Sequence, residues 1–355
     1  LTLEKDMKAL TIIPKKPNSL QLRDVPEPLP KKGEILCEMV ATGVCGTDFE
    51  ISRGEYGKAP EGSEFLILGH ESLGKVLTSP ENSDFKKGDL VVGIVRRPDP
   101  VPCPNCAVGE WDMCQNGLYT ERGINGLHGF ASEKFQISES YCVKLDPKLE
   151  SVGVLLEPTT VVAKAWEQSL YMAARSKVKA KKALVAGAGP VGLLAALLGV
   201  QHGLEVHVLD QMTDGPKPEL VKALGATYHS NLEDLEKQKI SFDISLECTG
   251  VSDLILNLFN HINADGILCL AGISTGGREF PTDIGKLNRE MVLQNELIFG
   301  SVNANRRHYE AAAKALKNAD IHWLEKIITR RIPLSRWPEA FKKEKTDIKT
   351  ILVPG

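Results

Sequence analysis

Lys182-Ala183-Leu184-Val185-Ala186-Gly187-Ala188-Gly189-Pro190-Val191-Gly192-Leu193-Leu194 joins a short apolar run to a longer one through a glycine-rich turn. The glycines fall at G-x-G-x-x-G spacing between a strand-like and a helix-like segment, the context that a dinucleotide-binding turn requires. Gly187 permits the tight turn, Gly189 lets the backbone approach a pyrophosphate, and Gly192 allows the helix to pack closely. Backbone N–H groups at the helix start, around Pro190 and Val191, would hold the phosphates. Asp210 closes the next apolar run, EVHVLD, about twenty residues further on, where a carboxylate accepts hydrogen bonds from the ribose hydroxyls. That carboxylate repels a 2′-phosphate and Gln211-Met212-Thr213 supply no arginine, so NAD is expected in preference to NADP, with Lys217 leaving NADP use open. Tight packing explains a glycine turn alone, and solvation a lone Asp210; the two together favour a nucleotide.

Outward from this turn, strand-like and helix-like runs alternate through EVHVLD, ELVKALGA, SFDISLECTG, LILNLFNHI and ILCLAG. Such alternation predicts a doubly wound, parallel α/β sheet. Thr249-Gly250 and Ala271-Gly272-Ile273 end two of its strands at the carboxyl edge, where open sheets bind ligands. Thr249 is expected on the adenine side, and Gly272 and Ile273 on the nicotinamide side. Residues 7–143 read instead as short β-branched runs punctuated by Pro, Gly, Asp and Lys, a β-rich domain. An apolar helical period begins near Glu150, and after about residue 300 RRHYEAAAKALKNA and ILVPG leave the alternating rhythm. The expected division is 1–172 with 304–355 as one domain and 173–303 as the other.

The 355 residues suit two such domains, and 42% hydrophobic and 25% charged residues are the balance of a folded enzyme. A net charge of −3 disfavours a nucleic-acid partner and favours a small molecule. No apolar run reaches the roughly 18 residues needed to cross a bilayer, and the first residues lack a signal pattern, so no membrane partner and a cytoplasmic location are expected. Three of the eight cysteines, Cys103, Cys106 and Cys114, cluster in a way that reads as metal ligation.

Gly43-Val44-Cys45-Gly46-Thr47-Asp48, Gly69-His70-Glu71 and Glu157-Pro158 offer a thiolate, an imidazole and carboxylates. Three such ligands with one position open make a catalytic zinc arrangement. Spacing alone also allows Cys45 as core filler, His70 as a turn residue, and Glu157 as a charge placed by the helix dipole. Asp48 reads as an acceptor that orients His70.

Taken in order, these motifs resemble the zinc-dependent medium-chain dehydrogenase/reductases over nearly the whole chain. The glucose 1-dehydrogenases of that family are the nearest match, on Arg96-Arg97-Pro98, Glu121-Arg122-Gly123-Ile124 with His128-Gly129-Phe130, Leu156-Glu157-Pro158, and Gly300-Ser301-Val302-Asn303-Ala304-Asn305 followed by His308. The resemblance implies a GroES-like β-rich catalytic domain beside a Rossmann nucleotide-binding domain. It implies that Cys45, His70 and Glu157 hold a catalytic Zn2+, that Glu71 exchanges with water on the metal, and that Thr47 takes the substrate proton. It assigns Cys103, Cys106 and Cys114 to a structural zinc, with Asp99 the expected fourth ligand because the family's first cysteine position falls on Pro100. Ser301 and Asn303 are then cofactor contacts. Thr47, Glu121, Glu157 and Asn303 contact the sugar, with Glu71 and His308 as helpers. Glu50 stands where many alcohol dehydrogenases carry a relay histidine, and Ala163 where several sugar dehydrogenases carry a glutamate.

The implied reaction moves hydride from C1 of an aldose, glucose to gluconolactone, to NAD or NADP in a homotetramer or dimer. A polyol or alcohol dehydrogenase of the same family is the enzymatic alternative. A nucleotide-binding regulator without catalysis is the alternative of another class.

Overall fold

The computed structural model describes residues 5–274, 276, 279 and 281–355. The chain forms two compact units, Leu1–Glu157 with Ala304–Gly355, and Pro158–Asn303.

The first unit is organised by the strand Glu34–Val44, on which Ile35, Cys37, Met39 and Ala41 are buried at period two. Glu71–Thr78 pairs with it antiparallel on one side and Lys349–Val353 antiparallel on the other. The sheet runs Cys142–Lys144, Leu90–Gly93, Glu71–Thr78, Glu34–Val44, Lys349–Val353, Ile328–Pro333, with Lys134–Ser138 also paired to Glu34–Val44. Ile35, Cys37, Val76, Val91, Phe130, Phe135, Ile137 and Cys142 pack one core. Leu10, Met39, Val44, Ala131, Ile332, Leu334, Ala340 and Leu352 pack another, so the C-terminal segment supplies half of it. The helix Arg306–Asn318 buries His308, Tyr309, Ala312, Ala315 and Leu316, the spacing of one helical face. The Tyr309 hydroxyl accepts the Val95 N–H at 3.2 Å, tying this helix to the unit the chain had left.

The second unit is a six-stranded sheet in the order Thr227–His229, Glu205–Leu209, Lys182–Ala186, Phe242–Glu247, Ile262–Leu270, Leu297–Gly300. Every pairing in it is parallel. The order reverses beside Lys182–Ala186, and a crevice opens at such a switch point at the carboxyl ends of the strands. The helix Leu156–Ala173 belongs to this unit from Pro158 onward, which moves the expected boundary back from 172/173 to 157/158. Trp166 Nε1 donates to the Ala195 carbonyl at 2.9 Å, and buried Lys164 donates to the Val302 carbonyl at 3.0 Å. Periodicity identifies the apolar face of a helix but not the unit that the face covers. Among the described residues no helix is long and apolar enough to cross a membrane.

Candidate functional site

Cys45 ends the central strand of the first unit and stands at the N-terminus of the short helix Gly46–Ser52. Asp48 in that helix folds back, its Oδ2 accepting the Cys45 N–H at 2.9 Å. His70 precedes the strand Glu71–Thr78, and its Nε2 lies 3.0 Å from Cys45 Sγ. Its Nδ1 lies 3.6 Å from Asp48 Oδ1, both side chains being buried. Cys45, Asp48 and His70 form one group of donor atoms within 4.8 Å of one another, and His70, Glu71 and Glu157 form a second. His70 is common to both, so residues about 25 and 90 positions apart converge on one point. A thiol, an imidazole and three carboxylates suit zinc, whereas magnesium or calcium would demand an all-oxygen set.

The electrostatics favour a cation. Burial alone would lower the pKa of His70, but the negative charges of Cys45, Asp48 and Glu157 outweigh it and hold the imidazole well above its ordinary value. Burial raises the Glu157 carboxyl to about 7 even with His70 pulling it down. Burial also raises Asp48, with His70 and the Cys45 N–H opposing.

One residue the sequence reading missed is Lys349. Its ammonium is buried, ion-paired with Glu71, and donates to the Val44 carbonyl at 3.1 Å. Burial works against its charge, but the Glu71 and Cys45 charges prevail and raise its pKa. A single lysine opening an apolar strand, Lys-Thr-Ile-Leu-Val, was the only local sign. Gly43 makes the pairing possible, since a side-chain carbon there would fall 1.9 Å from Glu71 Oε2.

Thr47 is half-buried on the helix that follows Cys45. Glu121 is buried and receives Arg96 Nε at 3.0 Å and Nη2 at 3.0 Å, with the Arg96 guanidinium 3.7 Å above the Tyr119 ring. Burial raises the Tyr56 phenol, and the Glu121 carboxylate adds to the effect, as do Tyr119 and Glu50. The Glu121 charge adds a small upward push to the Glu157 carboxyl. His308 is buried, and its Nδ1 accepts the Asn305 N–H at 3.0 Å and closes the cap of the helix Arg306–Asn318.

In the lobe after Pro100, Cys103, Cys106 and Cys114 bring their sulfurs within 4.8 Å of one another. The Gln115 and Cys106 N–H groups, each 3.4 Å from Cys103 Sγ, lower that thiol to about 6, while burial pushes Cys106 up to about 11. Asp99, the expected fourth donor, lies outside the group of three sulfurs in this structure. Its Oδ1 accepts the Val101 N–H at 2.8 Å and its Oδ2 accepts Asn116 Nδ2 at 2.6 Å, which fixes the carboxylate in the turn. Asn305 anchors the lobe by donating to Asp112 Oδ1 at 2.9 Å and Glu110 Oε2 at 3.0 Å.

In the second unit Gly187 has φ 102°, and the helix Pro190–Gln201 follows with Gly189 as its cap and Val191 in its first turn. A side-chain carbon at Gly192 would lie 1.8 Å from the Gly187 carbonyl oxygen, which is the close packing inferred from the motif. Asp210 sits just past the strand Glu205–Leu209 and accepts the Ala188 N–H at 2.8 Å, the Met212 N–H at 3.2 Å and Lys217 Nζ at 3.0 Å. A cavity of about 390 Å³ is lined by Gly187, Leu209, Asp210, Leu232, Thr249 and Leu254 among others, so Thr249 stands on the side of Asp210. Gly272 is half-buried, Ile273 is 73% exposed, Ser301 is buried, and Asn303 adopts a left-handed conformation at φ 61°.

Residues 150–353 match the family model described as glucose dehydrogenase C-terminus, and residues 31–147 the alcohol dehydrogenase GroES-like domain. The chain is 42% identical to glucose 1-dehydrogenase 2 of Vulcanisaeta moutnovskia, over 98% of this chain and 99% of that protein. It is 37% identical to glucose 1-dehydrogenase of Methanocella arvoryzae, over 98% and 100%. Its fold matches a structure of Haloferax mediterranei glucose dehydrogenase in complex with NADP, Zn and gluconolactone, at TM-score 0.90 and 32% identity over 98% of this chain and 99% of that one. The chain therefore belongs to the glucose dehydrogenase family of the zinc-dependent medium-chain dehydrogenases.

Proposed function

We propose that this protein is a glucose 1-dehydrogenase that oxidises glucose at C1 to gluconolactone with zinc and NAD(P). The observation that carries the reading is the convergence of Cys45, His70, Glu71 and Glu157 in a chain whose other unit presents the glycine turn and Asp210. The gluconolactone complex of the Haloferax mediterranei relative supports it.

A zinc ion, when bound, lowers the pKa of a hydroxyl held on it. Cys45, His70 and Glu157 would hold the ion, with the Asp48 carboxylate 3.6 Å behind the His70 ring to favour its orientation. Glu71, held by Lys349, would be the carboxylate that exchanges with water on the ion. The Thr47 hydroxyl takes the proton of the sugar C1 hydroxyl and hands it outward. A bound nicotinamide would supply the hydride acceptor for the C1 hydrogen, so that glucose would be released as the lactone. Arg96 holds Glu121 so that its carboxylate meets sugar hydroxyls, and an analogue lacking one leaves a buried acceptor unpaired. Cys103, Cys106 and Cys114 would hold a second, structural zinc.

Both nucleotides are used, and NAD is the better substrate. Asp210 accepts from the ribose hydroxyls, and Lys217, already on that carboxylate, offsets its charge when a 2′-phosphate is present. Asn303 and Ser301 contact the nucleotide from the end of the second unit. The protein self-associates: Leu297–Gly300 is an edge strand, and Ile284, Val292 and Leu293 are exposed on the helix Ile284–Gln294. All eight cysteines are free, which supports a reducing cytoplasmic setting.

Initial rates on glucose, galactose, xylose, sorbitol and simple alcohols, each with NAD and NADP, test the reading. Turnover of aldoses upholds it. Turnover of polyols or alcohols alone removes the sugar assignment.

A further inference from the structure

Glu247 is the last residue of the strand Phe242–Glu247, and its side chain is fully buried. The donors that satisfy it are neutral and local. Its Oε1 accepts the Thr249 N–H at 2.6 Å, the Gly250 N–H at 3.0 Å and the Thr249 hydroxyl, and its Oε2 accepts the Gly250 N–H at 3.2 Å. A buried carboxylate is retained only where hydrogen bonds replace its hydration, so these contacts hold the 249–250 turn as firmly as they hold the carboxylate. Gly250 is pinned there at φ 68°.

The same residue governs the next loop. Its carbonyl accepts the Ala271 N–H at 2.8 Å and the Gly272 N–H at 2.9 Å. Its Oε2 lies 2.6 Å from where a side-chain carbon of Gly272 would be, so the loop closes directly over the carboxylate. On the opposite side, Thr249 Cγ2 lies 2.7 Å from the position of a side-chain carbon on Gly187, the first glycine of the phosphate turn. One side chain thus sets the mutual spacing of three loops at the carboxyl edge of neighbouring parallel strands, and Thr249 among them lines the cavity that contains Asp210.

We propose that Glu247 is a positioning residue for the dinucleotide, which it never touches: its carboxylate sets the separation of the 187, 249–250 and 272–273 loops on which the nucleotide rests. This rests on the reading that the second unit binds NAD(P). Glu247→Gln replaces an acceptor oxygen by an amide whose hydrogens face the loop N–H groups, and Gly272→Ala places a methyl 2.2 Å from the Gly250 nitrogen and 2.6 Å from the carboxylate, forcing the two loops apart.

The test uses the zinc-loaded enzyme, with titration of NADH and NADPH by fluorescence and separate KM values for nucleotide and glucose. E247Q is expected to raise the nucleotide Kd and KM about 10- to 100-fold, the loss of one charged hydrogen bond. The glucose KM at saturating nucleotide and the zinc content should stay at wild-type values. G272A, which pushes the 272–273 loop off the 249–250 turn, should likewise raise the nucleotide Kd and KM and leave the glucose KM at saturating nucleotide at the wild-type value. If E247Q does not fold, Thr249→Val, which removes only the hydroxyl donor, should still raise the nucleotide Kd several-fold. Unchanged nucleotide affinity in the folded variants, or nucleotide and glucose KM rising together, overturns the inference. A wild-type protein that binds neither nucleotide overturns the functional reading instead.

Discussion

Lys349 and Glu71 meet across Gly43. Gly43 faces Glu71 in register on one side of the central strand and Ile351 on the other, and its missing side chain leaves the gap through which ammonium and carboxylate pair. Both partners are buried, so removing one strands the other's charge. Lys349→Met should destabilise the protein by about 3–5 kcal/mol in chemical denaturation. Adding Glu71→Gln to that variant should recover part of the loss, since no uncompensated carboxylate then remains. A K349M protein as stable as wild type would mean the pair is not buried in solution.

Cys45→Ala and His70→Ala should each cost the catalytic zinc and nearly all turnover while the far-ultraviolet circular dichroism stays native. The donor set around His70 has no spare thiol or imidazole among its group, so the ion is left underbound. Metal analysis should fall from two zinc ions per chain to one, with the Cys103, Cys106 and Cys114 lobe keeping its own. Two ions and full activity in either variant would move the site elsewhere.

Zinc affinity should depend on pH. The ligands bind as thiolate, neutral imidazole and carboxylate, so each proton they carry must leave first. His70 is held protonated above its ordinary range by the charges around it, and Glu157 titrates at about 7. Protons therefore compete increasingly as pH falls from 8 to 6, and the apparent Kd should weaken about tenfold or more per pH unit, one proton or more per ion. Competition with a chelator across this range checks it. A flat profile would show that these groups do not bind the metal.

What could be read from the sequence was whatever a short stretch constrains by itself. Gly187, Gly189 and Gly192 announce their turn because a backbone approach and a helix contact leave no alternative residue within six positions. Cys45, His70 and Glu157 were readable as residue types, since few other reasons gather those donors beside glycines. Lys349 was not, because its partner Glu71 is 278 positions away and a lysine heading a strand normally faces solvent. Arg96 likewise gains its meaning only from the antiparallel pairing that sets it opposite Glu121. The hydrogen bonds of Asp99 to Val101 and Asn116 were not legible either, because the turn that brings those donors to its carboxylate is set by the packing of the whole lobe.

Asp210→Ser should weaken NAD binding by about 10- to 100-fold and improve the relative use of NADP, the loss of one charged hydrogen bond to the ribose. The ion pair adds a second arm: Lys217, 3.0 Å from Asp210 Oδ2, is released in that variant to meet a 2′-phosphate. Lys217→Met should leave NAD use near wild type and depress NADP use. Paired KM measurements with both nucleotides check this, and an NAD to NADP ratio indifferent to both changes would show that Asp210 does not face the ribose.

The sugar itself is tested best at Glu121. A monosaccharide presents a hydroxyl on nearly every ring carbon, so its selection calls for buried acceptors rather than apolar walls. Glu121 is such an acceptor, but it is also the partner of Arg96, and truncation to alanine would leave a guanidinium buried beside Tyr119 without its counterion. Glu121→Gln is therefore the better probe, because it keeps the shape and one oxygen while removing the charge. It should raise the KM for glucose by about tenfold or more, a charge-assisted hydrogen bond being worth roughly 1.5–3 kcal/mol, and leave the KM for NAD unchanged. Arg96→Lys should produce a smaller rise in the same direction, since a lysine cannot reproduce the contacts of Nε and Nη2 with Oε1. Deoxy sugars supply the final control: if E121Q discriminates between glucose and the deoxy sugars no less than wild type does, Glu121 is only the anchor of Arg96, and the selecting acceptor lies elsewhere in the site.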